Sequence, residues 1–209
     1  MSARFQPPIV ILANGLFPSH TYPLQILDEA GTVICTDGSA DSLLNLGHTP
    51  HIIIGDQDST SLNKNEFRGL WIATPDQNKT DLQKTLEWCF VNDLHDVVVL
   101  GAMGKREDHS LGNLHVLAEF SEKMNIHFVS DYASIHCCKG KRSFPSIKGQ
   151  QISIVAIEPV ESITTNGLKY ALDNESFPPA CNGISNAAEG TEFSIDTTHP
   201  VWLFINHPE

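Results

Sequence analysis

The sequence predicts an α/β layer on a parallel sheet over residues 1–130, followed by a smaller all-β domain, a sandwich or barrel, over 131–209. Two observations predict this. Short, almost wholly apolar β-branched runs alternate with helix-period segments in the first part, the pattern of strands buried on both faces. After about residue 130 the helical period disappears, and short runs divided by Gly, Pro, Asn and Ser take over.

The first strand is expected in "PPIVILANG" and the second in "GTVICTDG", each ending in turn residues. "HIIIGD", "GLWIATPD" and "DVVVLGAMG" repeat the form. Between them, "ADSLLNLG" reads as a short helix stopped at Gly47. "TDLQKTLEWCFVND" sets Leu82, Leu86, Cys89 and Phe90 on one face, with Thr80 or Asp81 suited to its start. "DHSLGNLHVLAEFSEK" gathers Leu111, Leu114, Leu117 and Ala118 in the same way. In the second part, "SIHCCKG", "QQISIVAIEPV", "GLKYAL", "TEFSIDTT" and "VWLFIN" read as strands. No repeat or low-complexity linker separates the parts, so they are expected to pack directly.

Composition removes several classes of function. A net charge of −12 over 209 residues is the wrong sign for a nucleic-acid surface. No apolar run approaches the roughly 18 residues of a membrane span. The opening "MSARFQPPIVILANG" lacks a small-residue cleavage site and reads as a strand, so the expected compartment is the cytoplasm. Five cysteines without a C-x-x-C pair favour neither zinc nor a disulfide framework and read as small core residues. The ten histidines contain no H-x-x-x-H helix pair. No G-x-x-x-x-G-K-[ST] occurs, and no G-x-G-x-x-G follows the first strand, which excludes a Walker-type loop and disfavours a dinucleotide dehydrogenase.

The acids are placed unevenly. Asp37 follows "TVICT", Asp56 and Asp58 follow "HIII", Asp76 follows "LWIATP", and Asp81 and Asp108 each open a helix. In a parallel sheet all these strand ends share one edge, where ligands of open α/β sheets bind. Crowded carboxylates repel, and a hard divalent cation gives the cluster a reason to exist. Mg²⁺ takes oxygen ligands and bridges carboxylates to substrate phosphates. Asp56 and Asp58, two apart in a turn, can face one ion. Plainer readings stand beside this one: a D-x-D turn is an Asx-turn, and an acid at a helix start is a cap. Pattern alone leaves both open. Lys79, Lys105 and Arg106 accompany the acids, and Gly101 and Gly104 allow backbone to approach an anion ahead of a helix start.

Taken in order, "TDGSAD", "GDQDST", "TPDQNKTDLQKTLEW" and "GAMGKREDHSLGNLHVL" resemble the motifs of thiamine pyrophosphokinases. "TTNGLKYAL", "GISN" and "THPVWLFI" resemble that family's thiamine-binding β-domain, so the likeness runs over about residues 9–206. Each motif is weak alone; the ordered set is specific. The resemblance implies transfer of a diphosphate from Mg-ATP to the hydroxyl of thiamine, giving thiamine diphosphate and AMP. It implies an ATP- and Mg²⁺-binding α/β domain, a thiamine-binding β-sandwich, and a homodimer with active sites between subunits. The family's Mg²⁺ ligands fall on Asp56, Asp58 and Asp81. Asp37, Gln77, Thr80, Arg106 and Asp108 match positions around the nucleotide. Ser185 and Asn186 match thiamine contacts, and Tyr170 an aromatic position in the same region. Lys79 and Arg106 are the cations expected to neutralise the phosphates.

Three departures are visible. Gln57 replaces the usual Phe between the two aspartates, Glu107 replaces a common Phe, and Asp41 a common Asn. None removes an implied metal ligand; they bear on substrate preference. They keep open a diphosphotransferase for another heterocyclic alcohol, such as a pterin. A non-catalytic nucleotide- or thiamine-sensing module is the other alternative, and retention of all three ligands speaks against it.

Overall fold

A computed structural model describes residues 5–56, 62, 67–76 and 78–208. The chain divides into two compact units between Asp131 and Tyr132.

The first unit is a parallel sheet with helices between its strands. Its elements are β1 (Ile9–Leu12), α1 (Thr21–Asp28), β2 (Thr32–Thr36), α2 (Ala40–Asn45), β3 (Ile52–Gly55), β4 (Leu70–Ala73), α3 (Asp81–Val91), β5 (Asp96–Leu100), α4 (Glu107–Ser121) and β6 (Asn125–Val129). The strand order is β6-β5-β1-β2-β3-β4, and every pairing is parallel. β1, β2 and β3 are buried along their whole length, which is why their sequences are apolar at every position rather than at alternate ones. β4, at the edge, is only half-buried.

Beyond β1 and β2, a serine ties the strand ends together. The Ser39 hydroxyl lies 2.6 Å from the Leu12 carbonyl and 2.7 Å from the Thr36 carbonyl, in a fully buried setting. This fixes the turn that carries Asp37. Four of the five cysteines are buried and all five are free thiols. Burial pushes Cys35, Cys89 and Cys138 up to about 12, so they act as small apolar residues.

The helices differ from expectation in two places. Leu111, expected on the buried face of α4, is 55% exposed; Leu114, Val116, Leu117 and Phe120 make the contact instead. Leu111 belongs to the first turns, near the edge where the helix begins. Phe90, in the last turn of α3, is also largely exposed and meets His95 edge-on at 5.2 Å rather than entering the core. Helix α1 was not expected. His20 caps it through a 3.3 Å bond from the Tyr22 amide, and Asp131 accepts from the Ser19 and His20 amides at 2.9 and 3.0 Å.

The second unit is antiparallel. It contains β7 (Ala133–Pro145), β8 (Gln151–Ala156), β9 (Val160–Asn166), β10 (Glu175–Phe177), β11 (Asn186–Ala187) and β12 (Glu192–Asn206). The 15-residue β12 pairs with β7 through both halves but changes its other neighbour. Ser194–Thr197 pair with β9, and Val201–Ile205 with β8. The register shifts between Thr197 and Val201, where Pro200 supplies no amide and the ladder must break. Phe193, Ile195, Val201, Leu203 and Ile205 then close on Ile152, Ile154, Val160 and Ile163 in one apolar core.

Replacing Ser39 with alanine leaves the Leu12 and Thr36 carbonyls buried without this donor. Urea unfolding is expected to show a loss of about 1–3 kcal/mol. An unchanged midpoint would mean that the turn is held by other contacts.

Candidate active site

The carboxyl ends of β1, β2, β3 and β5 surround a cleft of about 470 Å³ within the first unit. Asn14 and Gly15 follow β1, Thr36 ends β2, and Asp56 follows β3. The heads of α3 and α4 contribute Thr80, Asp81 and Arg106. The parallel ladder thus brings Asp56 and Asp81, far apart in sequence, to one cleft.

Gly55 precedes Asp56 for a steric reason. A Cβ at position 55 would run into the Cβ of Asp37, which is fully buried beside it at the end of β2. Asp58 and Gln77 lie outside the described residues. Among the described residues, no three acidic, histidine or cysteine side chains gather closely enough to hold a cation. Two of the three expected metal ligands, Asp56 and Asp81, line the cleft.

At the head of α3 the cap and the acid separate. Thr80 is the N-cap, its hydroxyl accepting from the Gln83 amide at 3.3 Å. Asp81 is therefore the first helical residue, and capping does not occupy its carboxylate. That carboxylate, 40% exposed, accepts from the Lys84 ammonium at 3.2 Å. Other acids are spent locally. Asp76 closes an Asx-turn, accepting from the Asn78 amide at 2.9 Å and its side chain at 3.1 Å. The Asn78 amide is the chief reason its carboxyl is held below the ordinary range, with Lys79 and Lys84 adding attraction.

Asp108, in the first turn of α4, is gripped by Arg106 through bonds of 2.6 and 3.0 Å. The guanidinium is the main cause that lowers the Asp108 carboxyl to about 2, and the His109 amide helps. Arg106 lines the cleft, but its fork is engaged by this exposed partner. The other cations are engaged too. Lys79 holds both oxygens of Glu87 at 2.7 and 2.9 Å. Lys105, in a left-handed conformation with φ 61, reaches the carbonyl and side-chain oxygens of Asn14 at 3.3 and 3.1 Å. Gly104, with φ 79, makes the preceding half of that turn.

Two cleft residues escape a reading of the sequence alone. Lys84 is 7% exposed, although lysine in a helix ordinarily reads as solvated. Its position three residues after Asp81, on the same helix face, was the available signal. The Thr36 hydroxyl is buried at the cleft and has no hydrogen-bond partner among the described residues. A buried polar atom left without a protein partner suits a cleft built for a polar ligand.

In the second unit, Asn186 and Tyr170 come together through the backbone. The buried Asn186 side chain donates to the Tyr170 carbonyl at 2.8 Å and accepts from the Tyr170 amide at 3.0 Å and the Ala187 amide at 2.8 Å. Its amide group is thus occupied in shaping the loop. Tyr170 itself is 62% exposed, with the Lys169 ammonium 5.3 Å from its ring centre. Ser185 adopts φ 62, and its amide donates to the Ser153 hydroxyl at 3.1 Å.

Residues 24–129 match the family model for the thiamin pyrophosphokinase catalytic domain, and residues 134–202 match that for its vitamin B1 binding domain. Thiamine pyrophosphokinase 1 of Oryza sativa subsp. japonica is 30% identical over 200 residues, covering 80% of this chain and 74% of the relative. The chain belongs to the thiamin pyrophosphokinase family.

A Bacillus subtilis member is 27% identical over 158 residues, covering 70% of this chain and 73% of that protein. The family fold recurs in solved structures. Thiamine pyrophosphokinase from Bacillus subtilis superposes with a TM-score of 0.80 at 22% identity, covering 96% of this chain and 99% of that one. The Candida albicans structure gives 0.80 at 18% identity, covering 95% and 89%. The cleft lies within the stretch that matches the catalytic model, apart from Ala13, Asn14 and Gly15, which follow β1.

The Arg106–Asp108 pair gives a signed pH expectation. A carboxyl whose folded pKa is depressed adds stability above its unfolded pKa of about 3.9 and loses it as the pH falls through about 2. Carboxyl NMR of Asp108 should titrate near 2, and in Arg106→Met it should move up toward about 3.9. A midpoint that ignores the substitution would show that the guanidinium is not the cause.

Proposed function

We propose that this chain transfers the diphosphoryl group of Mg-ATP to the hydroxyl of thiamine, giving thiamine diphosphate and AMP. The reading rests on one observation above all: Asp56 and Asp81 line one cleft at the carboxyl edge of the sheet, within the stretch that matches the catalytic model. The thiamine oxygen forms a bond to the β-phosphorus, the bond from that phosphorus to the oxygen joining it to AMP breaks, and the hydroxyl proton passes to an aspartate or to water. Such transfers demand alignment and electrostatic stabilisation more than covalent chemistry by the protein.

The donor set fits Mg²⁺, because the carboxylates offered are hard oxygen ligands and no thiolate lines the cleft among the described residues. Asp56, Asp58 and Asp81 would hold the ion, which when bound neutralises phosphate charge. The remaining roles belong to side chains. Arg106, Lys79 and Lys105 ring the cleft and can leave their exposed or neutral partners for phosphate oxygens. Thr80 holds the head of α3, whose free amides favour an anion. Asp37, Gln77 and Asp108 complete the proposed nucleotide surroundings. Asp37 does not line the cleft itself and would act through its packing on Gly55.

Thiamine is assigned to the second unit, to Tyr170, Ser185 and Asn186. Tyr170 offers an exposed ring, and Asn186 acts by holding the Tyr170 backbone rather than through a free amide. The Lys169 ammonium near that ring is unfavourable for a thiazolium, so the ligand would take the face away from it. A homodimer and a cytoplasmic location complete the proposal. Among the described residues no helix is long and apolar enough to cross a membrane.

AMP should form from Mg-ATP only when thiamine is present, in amounts equal to the thiamine diphosphate made. Asp56→Asn and Asp81→Asn should each lower turnover by roughly a hundredfold or more while leaving circular dichroism unchanged. Thiamine-independent AMP, or full activity in both variants, would overturn the proposal. AMP formed with a pterin alcohol but not with thiamine would redirect it to another acceptor.

A further inference from the structure

We propose that Lys84 is an exchangeable counter-ion: it neutralises Asp81 while the cleft is empty and moves to the nucleotide phosphates when the cleft fills. The inference rests on the reading of Asp81 as a metal ligand and adds a residue to which no role was assigned. Among the described residues, four cationic side chains line the cleft, Lys79, Lys84, Lys105 and Arg106. Lys79 and Arg106 each hold a carboxylate that does not line the cleft, and Lys105 holds the neutral Asn14. Lys84 alone among them pairs with a carboxylate of the cleft itself, Asp81 at 3.2 Å. It is also the most buried, with its side chain 6% exposed against 38% for Lys79 and 65% for Arg106.

Burying an ammonium is costly unless it answers a charge. Here the charge is the carboxylate of Asp81, which lines the same cleft as Asp56. Lys84 offsets the Asp81 charge in a cleft that Asp56 also lines. A divalent cation taking Asp81 competes directly with the ammonium for the same oxygens. The displaced ammonium is carried on a flexible four-carbon stem at the cleft wall, where phosphate oxygens supply a new partner. Lys84 therefore has opposite effects on two ligands: it opposes the bare metal and favours the metal with its nucleotide.

That opposition is the test. Mn²⁺ binding to the metal-free full-length protein is followed by electron paramagnetic resonance, and binding of Mg²⁺ with a non-hydrolysable ATP analogue by calorimetry. Lys84→Met is expected to bind Mn²⁺ alone about fivefold or more tightly than the parent, and the Mg²⁺-analogue about tenfold or more weakly. Lys84→Arg, which keeps the charge, should stay near the parent for Mn²⁺. Lys84→Gln serves as the uncharged variant if the methionine protein does not fold. Uncharged variants that bind both ligands as the parent does, or both more weakly, overturn the exchange and leave Lys84 a structural residue. Asp81→Asn separates the two levels. If it abolishes Mn²⁺ binding while Lys84→Met changes nothing, only the exchange falls. If it leaves Mn²⁺ binding intact, Asp81 is not a ligand and both readings fall.

Discussion

The parallel ladder, which puts the carboxyl end of every strand on one side, is the constraint around which the first unit is arranged. A parallel sheet places every strand's carboxyl end on the same side, so acids that follow β2 and β3 and head α3 are forced into company. Asp37, Asp81 and, at the head of α4, Asp108 are accommodated in different ways. Asp37 is buried against Gly55, where only a glycine leaves room for it. Asp81 is met by Lys84 from its own helix, and Asp108 by Arg106. In the proposed reaction the cations that meet Asp81 and Asp108, Lys84 and Arg106, are also the ones offered to phosphate, so folding and binding would draw on one set of charges.

The second unit solves a different problem. Its strands converge on one long element, β12. That strand serves β7 throughout and passes from β9 to β8 at the Pro200 break. Phe193 stacks on Phe144 at 5.5 Å as part of the core beneath. The short β11 is then pinned to β8, and Asn186 within it clamps the backbone of Tyr170. The Asn186 side chain, which the family resemblance matches to a thiamine contact, is thus bound up in loop geometry.

Much of the architecture was legible because burial on both faces leaves a plain signature. The runs "IVIL", "TVICT", "IIIG" and "DVVVL" can hardly be anything but buried strands, and the parallel order follows from the helices between them. Elements whose reasons are not local were hidden. Helix α1 buries only Pro23 and Leu27 and depends on His20 and the distant Asp131 for its start. β12 looked like two strands because Pro200 interrupts it, whereas pairing with β7 resumes beyond the register shift and carries the strand through. Leu111 and Phe90 kept the helical period yet lie near helix ends, beyond the reach of the core. In the site, the acids could be seen from their places after strands. The burial of Lys84 could not, because it follows from how α3 lies on the sheet.

The claim on which the rest depends is that metal and nucleotide sit together in the cleft at the carboxyl edge of the first unit. Paramagnetic broadening by Mn²⁺ with a non-hydrolysable ATP analogue, read on the amide spectrum of labelled protein, tests it most directly. The amide signals of Gly15, Asp56, Asp81 and Gly104 should disappear first. Those of Thr32, Asp96 and Asn125, at the opposite ends of β2, β5 and β6, should persist. Broadening centred on that opposite edge, or spread evenly over the spectrum, would contradict the placement.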